Sequence, residues 1–416
     1  MRVFKFGGAS VKDAEGIRNL VRVLRTVGHN DTLVVVSAMG KTTNALEAVI
    51  NAYGEERSEL QNRLHEVVNF HLKVANTLFT NKEHPVFNAI RHLAEELNQF
   101  LKRNKSPNYN YIYDQIVGYG ELLSTTIISH YFNKEGLKNN WVDVRTLIKT
   151  DDYYRRANVD WEQTQERISE LLKTDQLNIT QGFLGSDPNN FTTTLGREGS
   201  DYTAAIFAYC LNAESVTIWK DVSGVLNADP RYFDQAELLQ QISYEEAIEL
   251  AFYGASVIHP KTLQPLQRKE IPLYVKSFLH PEEKGTTVSK GQSIVPKIPC
   301  YIVKKNQVLI SLSSLDFSYM VEENLSDIFR LLHHYKMKVD LIQNSAISFS
   351  VCVENIYDNL EPLLQHLKAK FQVVCHPNVN LYTIRHYHPD VVADLEQNNH
   401  VLLKQQTHQT VQILTK

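Results

Sequence analysis

Cysteine is scarce in this chain. Cys210, Cys300, Cys352 and Cys375 stand far apart along 416 residues, with no Cys-x-x-Cys pair. That spacing argues against a disulfide framework and thiolate metal sites, and reads as buried free thiols in a reducing compartment. Net charge is nearly absent too: 43 Lys and Arg against 47 Asp and Glu leave −4, so no nucleic-acid partner is expected. No apolar run approaches the length of a membrane span, so no membrane partner is expected either. The chain enters a strand at once with Val3-Phe4-Lys5-Phe6, so no leader is expected and the cytoplasm is the expected location. A Walker A loop is also missing. Gly40-Lys41-Thr42 mimics its second half, but Val35 stands five residues before Gly40, where a glycine is needed.

What is present begins at the same strand. It ends at Gly7-Gly8, followed by Ala9-Ser10-Val11 and a helical pattern through Ile17, Leu20, Val21 and Leu24. Glycines let backbone N–H groups approach phosphate oxygens closely. A helix start favours anions, and Lys5 adds a full positive charge. The segment reads as a phosphate cradle.

Strands and helices alternate over roughly the first 280 residues, the mark of an α/β layered domain. Thr32–Ser37 is a near-continuous apolar run, as in a buried parallel strand. Further strands are expected at Trp141–Val144, Asn178–Gln181, Ser215–Trp219 and Ile271–Ser277. Leu60, Leu64, Val67, Val68, His71, Leu72, Ala75 and Leu78 predict one long helix, and Ile90, Leu93, Leu97 and Leu101 a second. His71 on that stripe reads as a packing or surface residue. The Pro- and Gly-rich stretch 281–300 reads as a linker. Beyond it the order is βαββαβ, a ferredoxin-like unit over 301–376. A second, shortened unit over 377–416 lacks a helix and a strand, and Tyr301–Lys304 is the strand it is expected to borrow.

Five further segments carry chemistry. Val36-Ser37-Ala38-Met39-Gly40-Lys41-Thr42-Thr43-Asn44 ends a buried strand; alone it reads as a turn with Thr43 or Asn44 as a helix cap. Gly118-Tyr119-Gly120-Glu121-Leu122 opens an apolar helix, where an acid suits the helix start. In Gly196-Arg197-Glu198-Gly199-Ser200-Asp201, the arginine can clamp a carboxylate with two parallel hydrogen bonds. Ser200 and Asp201 sit where backbone donors are free. Trp219-Lys220-Asp221-Val222-Ser223-Gly224-Val225 precedes the turn Ala228-Asp229-Pro230-Arg231. The last segment is Phe252-Tyr253-Gly254-Ala255-Ser256-Val257-Ile258-His259-Pro260-Lys261-Thr262. His259 there reads as structural.

In this order, the segments resemble those of the aspartate kinases, members of the amino-acid-kinase family, and the tail resembles their ACT regulatory domains. The resemblance implies a three-layer α/β sandwich over 1–280, followed by ferredoxin-like α+β units. It implies transfer of the ATP γ-phosphoryl group to the side-chain carboxylate of L-aspartate, the first step of lysine, threonine and methionine biosynthesis, with Mg2+ bridging phosphates. Lys5, Gly8 and Asp201 would carry the transfer. Ser37, Thr43, Glu121, Arg197 and Ser200 would hold aspartate, Glu121 at its ammonium and Arg197 at its α-carboxylate. Lys5, Phe6, Gly7, Gly8, Ser10, Lys220, Asp221, Arg231, Ser256 and Val257 would meet ATP. A lysine or threonine effector at the ACT units and a homodimer or larger homo-oligomer follow from the same resemblance. The chain departs from the family at three places: Glu198 replaces a common glycine, Leu226 a frequent tyrosine and Ser256 a frequent lysine. At Glu198 either the backbone is left-handed, which glutamate tolerates poorly, or the side chain points outward.

A carboxylate acceptor is already ionised at neutral pH, with an ordinary pKa of ~3.9, so no general base is required. The barrier is repulsion between anions, and positioning with charge neutralisation lowers it. A kinase for another carboxylate or carbamate, and a non-catalytic amino-acid sensor, are the competing readings. Retention of Lys5, Glu121, Arg197 and Asp201 argues against the sensor.

Overall fold

Six parallel strands form the main sheet, in the order Asn139–Val142, Leu177–Gln181, Thr32–Val36, Arg2–Phe6, Ser215–Lys220 and Leu273–Ser277. Thr286–Ser289 extends it antiparallel and Gln241–Ser243 completes it. The computed structural model describes residues 1–416 except 174, 256, 257 and 317. Two compact units divide the chain. The first is Met1–Val225, Leu238–Ile248 and Val257–Pro296; the second is Leu226–Glu237, Glu249–Ser256 and Lys297–Lys416.

Alternation along the strands assigns two faces. Phe4, Phe6, Val34, Val36, Leu177 and Ile179 share one core with buried residues of the helices Ala14–Val27, Thr42–Gly54, Leu60–Leu78, Pro85–Arg103, Tyr109–Val117 and Tyr119–Lys134. Helix Gly199–Leu211 packs on strands Arg2–Phe6, Thr32–Val36 and Ser215–Lys220. Lys5, between Phe4 and Phe6, turns toward this helix, which makes the unit helix–sheet–helix. Both long helices expected from apolar spacing are present. His71 is fully buried on the first, its Nδ1 2.8 Å from the Val67 carbonyl, and burial lowers its pKa to about 4.

The second unit is a six-stranded antiparallel sheet. Its order is Lys338–Asn344, Ser348–Glu354, Cys300–Ser314, Phe371–Arg385, Thr410–Thr415 and Val401–Gln406. The first four strands, with helices Glu322–His334 and Leu360–Lys368, form the ferredoxin-like βαββαβ arrangement around Val308, Ile310, Phe349, Val351, Ile328 and Leu363. Cys300–Ser314 is one 15-residue strand rather than two pieces. Its first part, Cys300–Lys304, pairs with Leu381–Arg385, which pairs in turn with Thr410–Thr415. Tyr301–Lys304 thus pairs with the strand that opens the stretch 377–416, as expected. Helix Pro389–Asn398 packs Val392 on Ile384, Val411 and Ile413. Three of the four cysteines are buried and Cys375 is half-buried.

Candidate active site

The cleft forms at the carboxyl ends of the parallel strands, where open α/β sheets place their ligands. Phe6 stands in register with Val36 on one side and Trp219 on the other. The chain therefore emerges from three adjacent strands at one edge, at Gly7, Ser37 and Lys220. Two loops lock together there: the Ser37 N–H donates to the Phe6 carbonyl at 3.1 Å, and the Gly40 N–H to the Gly8 carbonyl at 3.0 Å. A Cβ on Gly8 would stand 2.8 Å from the Ala38 oxygen, so glycine is required for that approach. The glycine pair leads into a short 3-10 turn, Gly8–Val11, rather than directly into an α-helix. The α-helix begins at Ala14, its start capped by Asp13, which accepts from the Gly16 N–H at 2.9 Å.

Lys5 crosses to helix Gly199–Leu211 and pairs with Asp201 at 2.6 Å; the two side chains are 11% and 5% exposed. Glu121 comes from helix Tyr119–Lys134, whose Gly120 lets it pack closely on Ala38. Its Oε1 accepts from the Ala38 N–H at 3.2 Å, while Oε2 is buried with no hydrogen-bond partner among the described residues. The residue is 3% exposed, and burial pushes its carboxyl up to about 8 against the opposing pull of the Ala38 hydrogen bond and Lys5.

A cavity of about 340 Å3 is lined by Lys5, Ser37, Thr43, Glu121, Ser200, Asp201 and Lys220, together with Phe183, Gly196, Glu198 and Gly199. Seven expected residues thus converge on one space. Thr43 faces the cleft; neither it nor Asn44 caps the helix Thr42–Gly54, whose N-cap position is Lys41 with no side-chain bond. Phe183, Gly196 and Gly199 were not anticipated. Phe183 belongs to no recognisable motif, whereas the two glycines lay inside one.

Arg197 is exposed and does not line this cavity. Its neighbour Glu198 does, and the outward-pointing expectation is corrected. Glu198 takes the left-handed backbone that favours glycine, with φ 53° and ψ 29°, and turns its carboxylate inward, because that conformation opens the helix at Gly199 over the cleft. Ser10 and Asp221 line a second cavity in the same unit, of about 670 Å3, with Lys12, Asp13, Asn19 and Phe278. Phe6 is buried in the core. Arg231 lies in the second unit and pairs with Asp229 at 2.6 Å. Ser256 and Val257 lie outside the described residues. His259 starts helix Pro260–Arg268, its Nδ1 accepting from the Lys261 N–H at 3.2 Å; burial holds its pKa below the ordinary value.

A supporting layer was not legible in the motifs. Asp114, fully buried, accepts from the Thr194 N–H and Oγ1–H, each at 2.8 Å, and from the Arg155 N–H at 2.9 Å. Burial raises it to about 6. It ties down the hairpin Leu184–Ser186 and Thr192–Thr194 that precedes the glycine-rich turn. Chemically, the cleft offers lysines to anions and buried carboxylates to a cation, the needs of a zwitterion and a phosphate together; Gly7 and Gly8 follow Lys5 closely in sequence but do not line this cavity.

Comparison with known proteins agrees with this chemistry. Residues 1–277 match the amino acid kinase family. The chain is 34% identical over 344 residues to the lysine-sensitive aspartokinase 3 of Escherichia coli, covering 82% of this chain and 75% of that protein. It is 32% identical to the chloroplastic aspartokinase 1 of Arabidopsis thaliana, covering 82% and 61%. It spans about a third (32%) of the length of the bifunctional aspartokinase/homoserine dehydrogenase 2 of the same plant. Among solved structures, E. coli aspartokinase III with lysine and aspartate in the T-state superposes with a TM-score of 0.85 at 30% identity, covering 100% of this chain and 96% of that one. The same enzyme with aspartate and ADP in the R-state gives 0.80 at 29%, with the same coverage.

Proposed function

This chain belongs to the amino acid kinase family and is an aspartokinase, an ATP-dependent kinase for L-aspartate; from that premise we propose how its residues share the work. The observation that carries the reading is the convergence of Lys5, Ser37, Thr43, Glu121, Ser200, Asp201 and Lys220 on one cleft. L-aspartate binds there with its ammonium at Glu121 and its reacting carboxylate toward Lys5 and Ser37. Thr43 and Ser200 orient it, and Arg197 swings in to its α-carboxylate when substrate is present. The carboxylate attacks the γ-phosphorus of ATP, the bond to the β-phosphate oxygen breaks, and 4-phospho-L-aspartate and ADP leave.

Charge control does the catalysis. Lys5, aimed by Asp201, and the Gly7 and Gly8 amides stabilise the negative charge on the moving phosphoryl group. Lys220, Asp221 and Ser10 contribute to nucleotide binding. Among the described residues no group of three or more His, Cys, Asp or Glu gathers to cage a metal. Mg2+ would enter with the nucleotide. Bound there, it supplies neutralisation of phosphate charge.

Residues 1–280 form the catalytic domain in this reading, 281–300 the connection, and 301–376 and 377–416 two ACT units that take lysine or threonine as feedback effector. The lysine complex of the E. coli relative favours lysine. The enzyme works as a homodimer or larger homo-oligomer in the cytoplasm; among the described residues no helix is long and apolar enough to cross a membrane. The test is ATP- and Mg2+-dependent formation of aspartyl hydroxamate with and without lysine and threonine. Activity cut by one effector supports both kinase and sensor. Nucleotide binding without any hydroxamate would overturn the kinase.

A further inference from the structure

Two glutamates that line the cleft each have a carboxylate oxygen with no hydrogen-bond partner among the described residues. These oxygens are Oε2 of Glu121 and Oε2 of Glu198; both are shielded from solvent. They come from different elements, Glu121 from the start of helix Tyr119–Lys134 and Glu198 from the residue that opens helix Gly199–Leu211. A buried carboxylate oxygen without a donor is unfavourable, so two glutamates that line one cavity and each hold such an oxygen are suited to a cation that brings its own donors. An ammonium group carries three N–H donors in a tetrahedral spread. The single remaining oxygen of Glu121 can accept only part of them.

Glu198 is also held there at a cost. It adopts the left-handed backbone, where a glycine would meet no steric penalty, and it does so beside the cleft. We propose that Glu198 is a specificity-determining residue that, with Glu121, grips the ammonium group of the substrate amino acid. This rests on the reading of the cleft as the amino-acid site. Succinate, a dicarboxylate of the same length without the ammonium, gains nothing from either glutamate.

The test compares wild type with Glu198→Gln, which keeps the size and removes the charge, and Glu198→Gly, which suits the backbone and cannot fail through strain. Three quantities are read on each enzyme: KM for L-aspartate, KM for Mg·ATP, and the inhibition constant of succinate against aspartate. In both variants KM for aspartate rises tenfold or more, while kcat stays within threefold and the other two constants within twofold. Aspartate KM within threefold of wild type in either variant overturns the proposal. So does an equal weakening of succinate, or a rise confined to Mg·ATP, which would make Glu198 a ligand of the nucleotide's metal. Failure of wild type itself to phosphorylate aspartate would instead sink the functional reading, so the two failures are distinguishable.

Discussion

The two units each contain a buried lysine–aspartate pair, alike in length and burial and unlike in surroundings. Lys5–Asp201 spans 2.6 Å with side chains 11% and 5% exposed; Lys304–Asp340 spans 2.7 Å with 15% and 4%. The first lines the cleft, beside a glycine loop and two carboxylates with unpartnered oxygens. The second crosses the antiparallel sheet over strand Ser348–Glu354, joining strands Cys300–Ser314 and Lys338–Asn344 near the buried Cys352, whose thiol burial pushes up to about 12. A buried ion pair is by itself weak evidence of stability or of function. What distinguishes the first pair is its place in the lining of the cleft; we read it as a tool there and the second, which joins two strands, as a tie in the sheet.

That contrast can be broken by substitution. Lys5→Ala should lower kcat roughly a thousandfold, the scale of losing a donor to developing charge, and, by leaving Asp201 buried without its cation, should also cost the first unit about 3 kcal/mol of stability. Asp201→Asn should lower kcat by about a hundredfold by releasing Lys5 from its aim, a smaller loss in the same range of effects. Lys304→Ala should cost stability alone. It leaves Asp340 buried with Lys338 at 3.8 Å as its remaining cation, and the second unit should lose about 3 kcal/mol in a denaturant titration, while kcat without effector stays unchanged. A fall in kcat for Lys304→Ala matching that of Lys5→Ala would erase the distinction.

A pH titration sharpens it further. The carboxyl of Glu121 is raised from its ordinary 4.5 to about 8, chiefly by burial. In the empty cleft it is therefore protonated below about pH 8, and a substrate ammonium prefers the ionised form. KM for aspartate should rise as pH falls below 8, by roughly tenfold per unit, and Glu121→Gln should flatten that dependence at a uniformly weak KM. Stability has the opposite sign. Between 4.5 and 8 the folded chain holds a proton that the unfolded chain has lost, so this group's contribution is full below 4.5 and is lost as pH rises through 8. Glu121→Gln should remove that slope from the unfolding midpoint.

Much of the cleft was legible because its residues lie in short contiguous loops after apolar strands. Ser37 and Lys220 follow strands whose burial is written in Leu33–Val36 and Val216–Trp219. Lys5 was legible as a charge between two aromatics, though its partner, nearly 200 residues away, was identified only through the family motif. The role of Glu198 was not legible, because left-handed backbone depends on how the turn meets the helix and not on the residue type. Nor was the Asp114 support, whose three bonds reach 41 and 80 residues along the chain. In the tail, the polar run Lys304-Lys305-Asn306-Gln307 reads as a break between two strands. The ladder instead continues across an irregularity there, with Asn306 at φ 58°. The linker-like stretch contains a four-residue strand, Thr286–Ser289, too short for a periodicity to show.

The most direct measurement is single-turnover transfer of the γ-phosphoryl group to L-aspartate by wild type and Lys5→Ala, with aspartate binding to each followed by calorimetry. If Lys5 acts on the moving phosphoryl group, transfer slows by roughly a thousandfold while the Kd for aspartate stays within about threefold. Near-normal transfer in Lys5→Ala, or a loss confined to aspartate binding, would contradict the assignment and leave Lys5–Asp201 a structural tie like its counterpart in the sheet.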